Sequence, residues 1–93
     1  MLYRIITENK VNAKEVIAHA MAANGFYGYT LIRARGYYQG VAEKSIMVEV
    51  SAPDRDISDM ALRVVAAAKA IRTGLQQEEV IIQEIPCSME IVR

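Results

Sequence analysis

The chain has 93 residues, 53% of them apolar, with eleven basic side chains balanced by eleven acidic ones. At this length one core is barely sufficient, so a single domain over residues 1–93 and association between copies are both expected. The charge balance removes the electrostatic footprint of a nonspecific nucleic-acid or membrane-surface binder. A lone cysteine, Cys87, excludes an internal disulfide framework and a cysteine metal cluster, and it fits a reducing, cytoplasmic setting.

The first run, Met1-Leu2-Tyr3-Arg4-Ile5-Ile6-Thr7-Glu8, meets charges too early for a signal peptide. No stretch reaches the ~18 apolar residues of a membrane span. Leu2 to Glu8 reads as a strand with apolar groups on both faces, Tyr3/Ile5/Thr7 and Leu2/Arg4/Ile6, and so as a central strand. A helix follows. Asn12 is its expected N-cap, Glu15 completes a capping box, Val11 and Val16 form a staple, and Asn24-Gly25 ends it. Tyr29 to Arg35 and Lys44 to Ser51 read as two more strands, joined through Gly36-Tyr37-Tyr38-Gln39-Gly40-Val41-Ala42-Glu43 as an antiparallel hairpin with an aromatic tip.

Pro53 is expected to stop the third strand, and Asp54, Asp56 or Ser58 to cap a long helix carrying Ile57, Ala61, Val64, Val65, Ala68 and Ile71, with Gly74 at its end. Val80 to Ile85 is a last two-faced strand stopped by Pro86, and Met89 to Arg93 is a candidate short fifth strand. The order strand, helix, strand, strand, helix, strand gives an α+β fold, the ferredoxin-like βαββαβ sandwich, with an antiparallel sheet and two helices on one face. Strands apolar on both faces then require cover on the second face, which another subunit supplies.

The stretch Gly25-Phe26-Tyr27-Gly28-Tyr29-Thr30, followed by Arg33-Ala34-Arg35-Gly36-Tyr37-Tyr38-Gln39-Gly40, resembles the PII signalling proteins. So do Ala70-Ile71-Arg72-Thr73-Gly74 and the tail Glu90-Ile91-Val92-Arg93, and CutA-like trimers share the topology. The resemblance implies a homotrimer with inward-facing sheets and ligand clefts between subunits. It places Thr30, Arg33, Arg35, Gly36, Tyr37, Tyr38, Arg72, Thr73, Gly74 and Arg93 at the cleft. In the family a glycine-rich loop with a lysine follows the arginine-threonine-glycine and cradles nucleotide phosphates. Here Leu75-Gln76-Gln77-Glu78-Glu79 stands in its place. Two carboxylates there repel phosphates, so no cofactor is expected, and a nucleotide or other anionic ligand is disfavoured. The family's long partner-binding loop is cut to Tyr37–Glu43, which leaves that hairpin as the candidate surface for a protein partner.

The remaining chemistry-bearing residues read as structural. His19 has no second histidine to share a metal or proton with. Cys87 lacks a neighbouring base. Glu78-Glu79 and Glu43-Lys44 read as solvated charges, and Met21, Met47, Met60 and Met89 as core fillers. The expectation is a non-enzymatic regulatory or ligand-sensing trimer. A structural trimer without a ligand and a small ferredoxin-like enzyme are the alternatives.

Overall fold

The computed structural model describes residues 1–51 and 57–93. In chain order these form β1 (Leu2–Glu8), α1 (Ala13–Ala23), β2 (Thr30–Tyr38), β3 (Val41–Ser51), α2 (Ile57–Gly74) and β4 (Ile81–Ile85). The strands make one sheet in the order β2-β3-β1-β4, with every neighbouring pair antiparallel. This is the expected ferredoxin-like arrangement.

β1 shows why the sequence pattern works. Its burial alternates strictly, with Tyr3, Ile5 and Thr7 buried and Leu2, Arg4, Ile6 and Glu8 half-buried, because successive side chains leave a strand on opposite faces. Opposite Tyr3, Ile5 and Thr7 stand Val50, Val48 and Ile46 of β3. Tyr3, Ile5, Val50, Val48 and Ile46 meet Ile17, Ala20 and Met21 of α1 and Met60, Val64, Ala68 and Ile71 of α2 in one core. The other sheet face carries Leu2, Ile6, Met47, Ile32, Ile81 and Ile85 by register. It is crossed by Arg4, whose Nη2 lies 2.6 Å from Glu49 and whose Nη1 donates to Gln83. The two-faced character read from the sequence is therefore present, and within one chain no element covers that second face among the described residues.

Two sequence expectations about α1 fail. The Asn12 side chain makes no capping bond. Val11 is fully exposed, so it staples nothing. The turn between β1 and α1 is held by backbone bonds instead, from Ala13 N–H to the Lys10 carbonyl and from Val16 N–H to the Asn12 carbonyl. The expected end at Asn24-Gly25 is present. There Asn24 Nδ2 donates to the Ala20 carbonyl, and Arg63 of α2 donates to the carbonyls of Asn24 and Gly25 while lying 4.5 Å from the Phe26 ring centre.

The hairpin is longer and tighter than expected. β2 continues through Gly36, Tyr37 and Tyr38, and β3 already begins at Val41. Tyr38 faces Val41 across the two-residue turn Gln39-Gly40, both with positive φ, 51° and 80°. That backbone matches the strand twist, which is why two residues suffice where the sequence pattern predicts a connection of eight, Gly36 to Glu43. Asp54 and Asp56, the candidate caps of α2, and Pro53 lie outside the described residues, and Ser58 falls within α2 itself. Residues 86–93 form no strand within the chain.

At Gly74 α2 comes close to the Val16 side chain of α1. A Cβ built on it would sit 2.6 Å from Val16 Cγ1, so a larger residue must displace the Val16 side chain or the helix that carries it. Gly74→Ala is expected to cost about 1–3 kcal/mol, and adding Val16→Ala should recover much of that loss. Equal urea midpoints for wild type and Gly74→Ala would refute the constraint.

Tyr3 also gives a pH dependence. Burial, with a smaller push from the Glu84 carboxylate, raises its phenol pKa above the usual 10.0. A raised folded-state pKa means that the contribution is complete below the unfolded value and is lost as pH climbs through the folded one. Wild type should therefore lose melting temperature above pH ~10 more steeply than Tyr3→Phe, and parallel curves for the two proteins would contradict this.

Candidate functional site

β1 pairs with β3 along its full length, from Leu2 to Glu8, but with β4 only as far as Ile6 opposite Ile81. The end of β1 consequently outruns its neighbour. A cleft of about 400 Å³ opens there, walled by Ile6, Thr7, Glu8 and Lys10, by Tyr38, Glu43 and Ser45 of the hairpin, and by Gln76, Gln77, Glu78, Glu79 and Ile81. The size suits a small-molecule site.

The loop after α2 is drawn onto the cleft by specific ties. Gln76 and Gln77 N–H donate to the carbonyls of Thr73 and Arg72, with Gln76 at a φ of 53° that a non-glycine residue rarely holds. Lys10 Nζ donates to the Leu75 carbonyl at 2.7 Å, and Gln77 Nε2 donates to Glu8 Oε2 at 2.9 Å. Leu75 is buried beneath. The cleft is thus lined by four glutamates, Glu8, Glu43, Glu78 and Glu79, and by one lysine whose ammonium is already engaged. The chain as a whole is neutral, yet this cleft is anionic.

Thr7 stands apart in the inner wall. It is 4% exposed, and its Oγ1 has no hydrogen-bond partner among the described residues. Buried hydroxyls are rarely left so.

Of the residues assigned by resemblance, Tyr38 lines this cleft. Gly36 packs beside it, where a Cβ would meet Ser45 Oγ at 3.2 Å and the Tyr38 ring at 3.3 Å. Tyr37 is exposed on the opposite face of β2. Arg33 and Arg35 share that face, exposed and without an ion pair among the described residues, and Thr30 is exposed at the start of β2. Arg72 and Thr73 contribute their carbonyls to the loop bonds, Gly74 belongs to the helix contact, and Arg93 ends the exposed tail. Within one chain these ten residues do not converge.

The sequence missed Thr7, Glu8, Lys10 and Gln77. The one available signal was Thr7, a hydroxyl at an inward position of an otherwise apolar alternation. Glu43 and Glu78-Glu79, read as solvated pairs, are exposed but brought to one rim. His19 lies at a separate apolar hollow between the helices, with Val16, Ala20 and Gly74, and Cys87 is an exposed thiol. Among the described residues no three His, Cys, Asp or Glu side chains are placed to hold a metal ion, and no helix is long and apolar enough to cross a membrane.

The Lys10 tie makes a direct prediction. Lys10→Met should cost about 0.5–1.5 kcal/mol and speed amide exchange at residues 76–79 while leaving the α1 amides unchanged. Unaltered exchange in the loop would show that the tie does not hold it.

No protein-family model matches the chain, and no curated protein matches it either. Solved structures do. A phage SAM lyase in its apo state superposes with a TM-score of 0.64 at 23% identity, covering 87% of this chain and 75% of that one. A phage SAM lyase in complex with S-methyl-5′-thioadenosine gives 0.63 at 22% identity, covering 87% and 76%. Arabidopsis thaliana PII bound to citrate gives 0.54 at 17% identity, covering 94% and 78%. At these identities the likeness is one of fold, and the PII-like fold implied by the resemblance is thereby supported. The functional expectation is corrected. A non-enzymatic regulator was inferred from PII-like motifs, and the better-superposing structures are those of an enzyme. Within one chain Gly25, Gly40 and Gly74 serve a helix end, a turn and a helix contact, so the motifs that contain them report the fold.

Proposed function

We propose that the protein is an enzyme acting on a small sulfonium nucleoside of the SAM type, with the cleft at the end of β1 as its active centre and a thioether nucleoside as product. The observation that carries this reading is the charge of the cleft. Four carboxylates around one engaged lysine favour a cationic ligand and repel phosphates. The Tyr38 ring offers a flat apolar surface on which a purine can stack, and the fold likeness to SAM lyase points the same way.

A sulfonium is its own activated leaving group. When a carbon–sulfur bond breaks, both electrons stay on sulfur and a neutral thioether departs, so no protein acid has to protonate it. The carbon it leaves takes an electron pair from the substrate's own carboxylate, one carbon–oxygen bond forming as the carbon–sulfur bond breaks and a lactone departing as the second product. The chain has to grip and orient the substrate. Carboxylates placed against the sulfur itself would stabilise the charge that the reaction removes and slow the step, since only interactions stronger in the transition state accelerate it. The glutamates are therefore better assigned to the ammonium of the amino-acid arm.

Incubation with SAM should yield S-methyl-5′-thioadenosine, detected by mass spectrometry, in proportion to protein. ATP should leave the melting temperature unchanged. Glu78→Gln combined with Glu79→Gln is expected to lower kcat/KM by about tenfold through loss of charge-assisted bonds. A wild-type protein that neither binds nor cleaves SAM would overturn the proposal.

The same reading has copies of the chain associating through the open sheet face, as a homotrimer, which removes Leu2, Ile32 and Met47 from water. Light scattering should show an oligomer that Met47→Lys dissociates. A wild-type monomer at micromolar concentration would exclude it.

A further inference from the structure

We propose that Glu8 and Thr7 are specificity-determining residues of the cleft, with Glu8 taking the cationic arm of the ligand and Thr7 an uncharged polar group. The inference rests on the cleft being a site for a sulfonium nucleoside.

The four carboxylates are not equivalent. Glu43, Glu78 and Glu79 are exposed, where water screens them, whereas Glu8 is half-buried. Gln77 Nε2 holds one of its oxygens at 2.9 Å, and no cation pairs with it among the described residues, because Lys10 donates to the Leu75 carbonyl instead. A carboxylate partly removed from water, fixed in direction by an amide and lacking a counter-charge, is prepared for an incoming cation. It can accept an ammonium without first breaking a salt bridge.

Thr7 supplies the independent observation. Thr7 lines the cleft, and its hydroxyl is buried without a partner among the described residues, so a donor and an acceptor are unanswered beside the cleft. Neighbouring residues of a strand point to opposite faces. Thr7 and Glu8 thus flank the two sides of the same strand end, which β4 leaves unpaired beyond Ile6. A ligand straddling that end meets a charge on one side and a neutral hydroxyl on the other, which matches a charged amino-acid arm joined to an uncharged nucleoside.

Calorimetry with SAM and with the neutral S-methyl-5′-thioadenosine separates the two roles. Glu8→Gln, which keeps the shape and an acceptor for Gln77, should weaken SAM by about tenfold or more and the neutral thioether by less than about threefold. Gln77→Met, which unties the carboxylate but keeps its charge, should give the same selective loss at smaller size. Thr7→Val should weaken both ligands by about fivefold at a melting temperature equal to or above that of wild type, since it removes an unanswered hydroxyl. Equal losses for both ligands, or none, in Glu8→Gln and Gln77→Met would overturn the role of Glu8. Unchanged affinities in Thr7→Val would mean that water alone satisfies the hydroxyl. If wild type binds neither ligand, the reading of the cleft itself falls, and this inference falls with it.

Discussion

The unequal pairing of β1 is the constraint from which the rest of the molecule follows. On one side it is zipped to β3 from Leu2 to Glu8, and on the other β4 releases it after Ile6. The paired portion can bury Tyr3 and Ile5 against both helices because its backbone groups are satisfied within the sheet. Past Ile6 the same strand has no β4 neighbour to occupy its flank, and the cleft is the space left over. Core and cleft are thus two halves of one strand, and Thr7 sits at the boundary between them.

The helices set how that space is closed. Gly74 lets α2 approach Val16 of α1, which fixes where α2 ends and hence where the 75–79 loop descends. Leu75 anchors the loop in the core, and the positive φ at Gln76 turns the chain so that Gln77 reaches Glu8. Lys10, emerging from β1, meets the loop from the opposite side. Because its ammonium donates to a backbone carbonyl, Lys10 leaves the surrounding glutamates without an ion pair among the described residues. A chain with no net charge acquires a locally anionic cleft through the position of one loop.

The assignment of fold and the assignment of activity drew on different parts of the same sequence. Alternating strands, the Asn24-Gly25 helix end and the glycines of the 36–43 connection are local signals, each decided by backbone sterics over a few residues, and they point to the ferredoxin-like order. The PII-like motifs are of the same kind, so they reported the scaffold that PII and SAM lyase structures share and carried the functional expectation in the wrong direction. The cap at Asn12 and the staple at Val11 failed because the backbone bonds of the β1–α1 turn satisfy the helix start without them.

The sequence by itself determined the order of elements, the two-faced strands, the glutamate pair Glu78-Glu79 after the second helix and the absence of a second histidine beside His19. Those properties depend on neighbours along the chain. The tertiary structure alone decided that Glu8, Glu43, Glu78 and Glu79 share one cleft, that Lys10 is engaged and that the Thr7 hydroxyl is unpartnered among the described residues. Each depends on strand register and on where α2 stops, quantities fixed by packing between residues some seventy positions apart, such as Glu8 and Gln77 with a separation of 69. A carboxylate reads as a solvated charge until the fold shows which other carboxylates stand beside it and which cation does not.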